Sequence, residues 1–143
     1  MLDLLFYILV ALLSVAFMEI VAILAHKYIM HGPGWFLHKS HHTKHNDTLE
    51  LNDIYFIFFS MPSVVCIVYG FIQSSYIILS VGIGILMYGM IYLIFHDIIV
   101  HNRFGLNIPI KINYIKKVKK SHMRHHKCKN KHGATNFGFI TYR

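Results

Sequence analysis

Three long apolar runs constrain this chain more than any other feature. Leu4 to Ala25 is apolar except for Ser14 and Glu19. As a helix its 22 residues reach about 33 Å, enough for a hydrocarbon core of roughly 30 Å. Ile54 to Ile72 is a second span, and Pro62 inside it predicts a kink. After the polar break Gln73–Ser75, a third span covers Tyr76 to Phe95. Gly82, Gly84 and Gly89 lie in it, either to admit a neighbouring helix or simply tolerated. With 55% hydrophobic and 14% charged residues, the 143-residue chain is too apolar for an ordinary soluble domain and suggests one compact membrane unit. The first run lacks the basic n-region and small-residue cleavage site of a signal peptide. Cys66 and Cys128 give no disulfide framework.

The spans fix which segments share a side. The first leaves the bilayer at His26, and the other two form a hairpin that returns to the side it left. Residues 26–53 and 96–143 therefore lie together, and they hold all twelve histidines and all fourteen Lys and Arg residues. The positive-inside rule makes that side cytoplasmic and puts the N-terminus outside. The sequon at Asn46 then never meets a lumenal glycosylation enzyme. The expected fold is an all-α integral membrane protein of three or four transmembrane helices with a cytoplasmic, histidine-rich helical cap. The segment Phe104–Lys120 is half apolar and ends in lysines, which suits the membrane surface. Its charge also suits an acidic electron carrier. Basic residues beside membrane spans, without a nucleic-acid-binding fold, argue against nucleic acid.

Ten of the histidines form four boxes: His26 with His31, His38 with His41 and His42, His96 with His101, and His122 with His125 and His126. The pattern H-x4-H, H-x2-H-H thus occurs twice. At 100° per residue, the three imidazoles of an H-x2-H-H box can face one side of a helix. The H-x4-H pair is different, since five residues turn about 140° beyond a full turn. Either its rings bind different metals or the helix loosens between them. Gly32, Pro33 and Gly34 supply a place to unwind after His31, but no such device follows His101.

Ten ligands exceed what a structural zinc takes. Divided between two metals they give five nitrogens each, which suits six-coordinate iron with one position left for oxygen. The Glu-x-x-His pattern of carboxylate-rich di-iron bundles is absent. Glu19, seven residues before His26, is placed to orient a ligand imidazole from outside. Asp97, four before His101, and Asp53, at the mouth of the second span, are candidates for the same task. His45 and His132 stand outside the boxes.

These residues resemble the membrane fatty-acid hydroxylase superfamily and, within it, the bacterial type of β-carotene 3-hydroxylase family. The resemblance rests on "HKYIMHG" from His26, "HKSHH" from His38, "ELNDIY" from Glu50, "HDIIVHNRF" from His96, "SHMRHH" from Ser121 and the closing "FGF". Two departures are the Lys-rich "KCKNKHGATN" before Phe137 and three spans where relatives are drawn with four. The resemblance implies a single membrane hydroxylase domain over residues 1–143, in a bacterial inner membrane. It implies a monooxygenase that places hydroxyl groups at C3 of carotenoid β-ionone rings, taking β-carotene to β-cryptoxanthin and zeaxanthin. It also implies two iron ions, O2 as cosubstrate and an external electron donor such as ferredoxin. The histidine chemistry alone leaves open a fatty acid, sterol or sphingoid substrate, or desaturation.

Overall fold

The computed structural model describes residues 1–43 and 49–142. Every regular element among them is helical: α1 (Leu2–Leu24), a π-helical stretch π1 (Ala25–Met30), α2 (Trp35–His42), α3 (Asp53–Ile72), α4 (Tyr76–Tyr92), a second π-helical stretch π2 (Leu93–Val100) and α5 (Asn113–His125). Continuous helix runs over Leu2–Met30, Asp53–Ile72 and Tyr76–Val100, and each run is long and apolar enough to cross a membrane. The first and third exceed the sequence expectation because each carries on through a π-helical stretch instead of ending at its first histidine. His45 and the Asn46 sequon lie outside the described residues.

The chain forms two compact units. The first comprises Met1–Met18 and Tyr55–Ile91. Leu5, Leu9, Leu13, Val65, Phe71 and Leu86 are exposed on it, as side chains that face hydrocarbon should be. The serines within its helices spend their hydroxyls on backbone: Ser14 donates to the Val10 carbonyl at 2.8 Å, and Ser63 to the Gly82 carbonyl at 2.8 Å. A Cβ on Gly82 would lie 2.8 Å from the Ile67 nitrogen, and one on Gly84 would strike the Ala11 carbonyl. These two glycines therefore let helices approach closely, whereas nothing lies within 4 Å of a Cβ on Gly89, which is merely tolerated. The helix of α3 runs on through Pro62.

The second unit comprises Glu19–Ile54 and Tyr92 to the C-terminus. Its buried side chains are mostly polar: His26, His38, His42, His96 and His125 are almost wholly removed from solvent. The lysine-rich segment is helical only from Asn113. There α5 buries Val118, Ser121, His122 and His125 on one face and leaves most of its lysines exposed.

Candidate metal centre

Both H-x4-H pairs sit on π-helical turns. The His31 amide donates to the His26 carbonyl at 2.9 Å, and the His101 amide to the His96 carbonyl at 2.9 Å. This i→i+5 bond brings residue i+5 back above residue i, as an α-helical turn cannot. The two rings of each pair accordingly meet, with centroids 5.3 Å apart for His26 and His31 and 4.6 Å apart for His96 and His101. After π1 the Gly34 amide also reaches back to the Ile29 carbonyl at 2.8 Å. Gly32 lies so near the Tyr28 carbonyl that any Cβ there would collide with it.

The H-x2-H-H boxes divide. All ten box histidines gather in two sets of five: His26, His31, His38, His42 and His125, and His41, His96, His101, His122 and His126. Within each set the ligating atoms all lie within 4.8 Å of one another. On α2, His38 and His42 join the first set while His41 goes to the second. On α5, His122 and His126 join the second set while His125 goes to the first. Helix geometry explains the exchange. Residues i and i+4 are about 40° apart, but i+3 lies about 100° from i+4. The expectation that each box faces one side is corrected accordingly. The first set is fully buried, whereas His41, His101 and His126 of the second are partly exposed. His132 is exposed and belongs to neither.

Seven of the ten outer nitrogens are seen held by oxygen. In the first set, Nδ1 of His26, His31, His42 and His125 donates to the carbonyls of Phe137 (3.0 Å), Lys131 (3.1 Å), Cys128 (2.8 Å) and Thr135 (2.9 Å). Nδ1 of His38 donates to Oδ1 of Asn52 at 2.7 Å. In the second set, Nδ1 of His41 meets Glu50 at 2.8 Å and Nδ1 of His96 meets Asp97 at 2.7 Å. A carbonyl can only accept, so each of these rings carries its proton on Nδ1 and points a bare lone pair inward from Nε2.

Those lone pairs crowd together. The Nε2 atoms of His38 lie 3.0 Å from His26 and 3.2 Å from His42, and His31 is 3.1 Å from His125. In the second set His41 lies 3.1 Å from His96, and His122 lies 3.0 Å from His101 and 2.8 Å from His126. Without a proton between them such contacts are repulsive, and a cation at the centre of each set reverses that. Ligands about 2.1 Å from a metal are about 3.0 Å apart along an octahedral edge and about 3.4 Å along a tetrahedral one. These nearest spacings match an octahedral edge, a geometry in which five imidazoles would leave one position.

Burial also sets the charge of the rings. Desolvation pushes His38 and His125 down to about 3 and His42 and His101 down to about 4. Desolvation lowers His31 as well, and together with neighbouring imidazoles it lowers His41, His122 and His126. Uncharged imidazole is the form that binds a metal.

Three outer residues take partners other than those expected. Glu19 was placed beside His26, but Nδ1 of that ring is on Phe137. Oε1 of Glu19 instead accepts the amides of Phe139 (3.1 Å), Ile140 (3.1 Å) and Thr141 (2.9 Å) and the Thr141 hydroxyl (2.8 Å). This pins the C-terminal segment, whose Phe139 ring stacks on His26 at 4.9 Å and 10°. Asp97 serves His96, its own neighbour, rather than His101. Asp53 pairs with Arg103, whose Nη1 donates to Oδ1 at 2.7 Å, and this pairing raises the guanidinium pKa further. Sequence reasoning missed Glu50 and Asn52 as imidazole partners. Their signal was the "ELND" quoted only as a flanking motif.

The family model for fatty acid hydroxylase matches residues 11–142. The chain belongs to the fatty acid hydroxylase family. It is 36% identical over 132 residues to a protein of Pantoea ananas named beta-carotene hydroxylase, covering 92% of this chain and 75% of that one. A Paracoccus protein of the same name is 35% identical over 133 residues, covering 92% and 82%. The chloroplastic beta-carotene 3-hydroxylase of Haematococcus lacustris is 36% identical over 128 residues, covering 86% of this chain and 39% of its own. No solved structure matches the chain significantly. Family membership and the three membrane-crossing helices make this an integral membrane protein with the fold of a hydroxylating oxygenase.

Proposed function

We propose that this protein hydroxylates C3 of carotenoid β-ionone rings, converting β-carotene to β-cryptoxanthin and then to zeaxanthin. The observation that carries the reading is the pair of five-imidazole sets in a chain about one third identical to proteins named beta-carotene hydroxylase. Each turn of the reaction balances as R–H + O2 + 2 e⁻ + 2 H⁺ → R–OH + H2O. The electrons come from an external donor of the ferredoxin kind. His26, His31, His38, His42 and His125 would hold one iron, and His41, His96, His101, His122 and His126 the other. Bound there, the iron pair supplies the oxidising power to put one atom of dioxygen into an unactivated C–H bond.

The chain itself does the rest. The Nδ1 hydrogen bonds fix tautomer and ring direction, so that the inward nitrogens are preorganised as ligands. Phe137, Phe139 and Trp35 pack against rings of the first set and keep water from them; Trp35 lies 5.0 Å from His31 and 5.2 Å from His42. The apolar faces of the membrane helices suit a polyene that never leaves the bilayer. The excess of basic residues on the histidine side supports a cytoplasmic orientation, which in a bacterial inner membrane would give access to a reduced carrier.

Expression in cells that accumulate β-carotene is the test. Zeaxanthin with some β-cryptoxanthin is expected. Unchanged carotenoid beside folded, iron-loaded protein overturns the reading, and new hydroxylated fatty acids or sterols in the same membranes would reassign the substrate.

A further inference from the structure

The two histidine sets match in ligand number and spacing but differ in what stands behind the ligands. Behind the first set are five neutral acceptors: four backbone carbonyls and the amide oxygen of Asn52. Behind the second are two carboxylates, Glu50 on His41 and Asp97 on His96. Arg103 lies 3.8 Å from Asp97 but is engaged by Asp53 through both terminal nitrogens. Cations lie near both sets, Lys129 at the His42 carbonyl and Arg103 and Lys119 by His101, so the contrast rests on the carboxylate partners themselves.

An imidazole whose N–H points at a carboxylate takes on imidazolate character and becomes a stronger donor to a metal, while one held by a carbonyl does so much less. From this we infer that Glu50 and Asp97 make the two metal positions unequal, the His41/His96 position binding its cation the more tightly. They act as positioning residues through the imidazoles. The inference rests on the proposed two-metal reading and goes beyond it, because that reading needs only two filled positions.

The experiment uses the full chain purified in detergent and loaded with ⁵⁷Fe(II). Wild-type protein should show two ferrous Mössbauer components of equal area, and a ferrous chelator should remove one equivalent before the other. In Glu50→Gln and Asp97→Asn the later equivalent should lose about 10–100-fold in affinity. Only one Mössbauer component should move. Asn52→Asp supplies the converse: it gives the first set a carboxylate, and the component untouched by Glu50→Gln should shift while the early equivalent is retained longer. If Glu50→Gln fails to fold, Asp97→Asn and Asn52→Asp decide. Simultaneous loss of both equivalents from the wild type, or displacement of both components by each variant, overturns the inference and leaves the two-iron reading standing. A folded wild type that takes up no iron overturns both.

Discussion

The first histidine set is gripped by a loop, whereas the known outer contacts of the second come from side chains near helix ends. Four of the five outer nitrogens of the first set rest on carbonyls between Cys128 and Phe137, a stretch without helix or strand. In the second set, Glu50 lies just before α3 and Asp97 lies within π2. The same ligand chemistry thus rests on two kinds of support. A loop with no regular structure stays in place only while its contacts last, but a helix end is held by its own backbone ladder. The two sets should therefore fail in different ways.

The largest effect should come from His38→Ala and His122→Ala, because each of these rings lies within 3.2 Å of two others in its set. Each variant should lose more than about 100-fold in hydroxylation and one of two iron equivalents, as read by metal analysis and pigment profile. Equal loss of both equivalents would erase the distinction between the sets. Next is chelation. Stripping the metal should speed tryptic cleavage at Lys127, Lys129 and Lys131 by about tenfold or more, while cleavage at the lysines of α5 changes less. If α5 is cut first, the loop is not the weaker support.

A smaller effect is expected for Gly32→Ala, whose new methyl meets the Tyr28 carbonyl behind π1. It should cost about 1–3 kcal/mol in detergent unfolding and weaken iron retention in the first set alone. Smallest is the response of the metal-free protein to acid, which both sets share. The histidines are depressed in the folded state, so the unfolded chain takes up more protons as pH falls below about 6.5. The stability they contribute is complete above that pH and is lost towards pH 4 and then 3. Between pH 7.5 and 6.5 the melting temperature should fall by roughly 5 °C. A flat profile would mean that these rings are not buried without metal.

Much of this was legible in the residues. The three spans follow from apolar length alone, and the gathering of the ten box histidines from repeated spacing at the ends of those spans. The π-helical turns were half legible. The 140° mismatch of H-x4-H demanded some loosening, but Leu93–Val100 contains no glycine or proline to announce it. The exchange of His41 and His125 was not legible, because an H-x2-H-H box on an isolated helix does not reveal that two centres lie beside it. Backbone acceptors leave no mark on a sequence either, so the partners of His26, His31, His42 and His125 were invisible. Glu19 misled for a related reason. Its nearest chemistry along the helix was an imidazole, whereas its contacts lie 120 to 122 positions away in the chain.

The placement of those late contacts bears on biosynthesis. Neither cage can be completed until His122, His125 and His126 have been made, and the earlier one also needs the carbonyl of Phe137. All three membrane helices precede these histidines in the chain, so they are made while both cages still lack ligands. Products that stop before His122 should therefore insert normally yet stay metal-free, and metal uptake becomes a late step in making the protein.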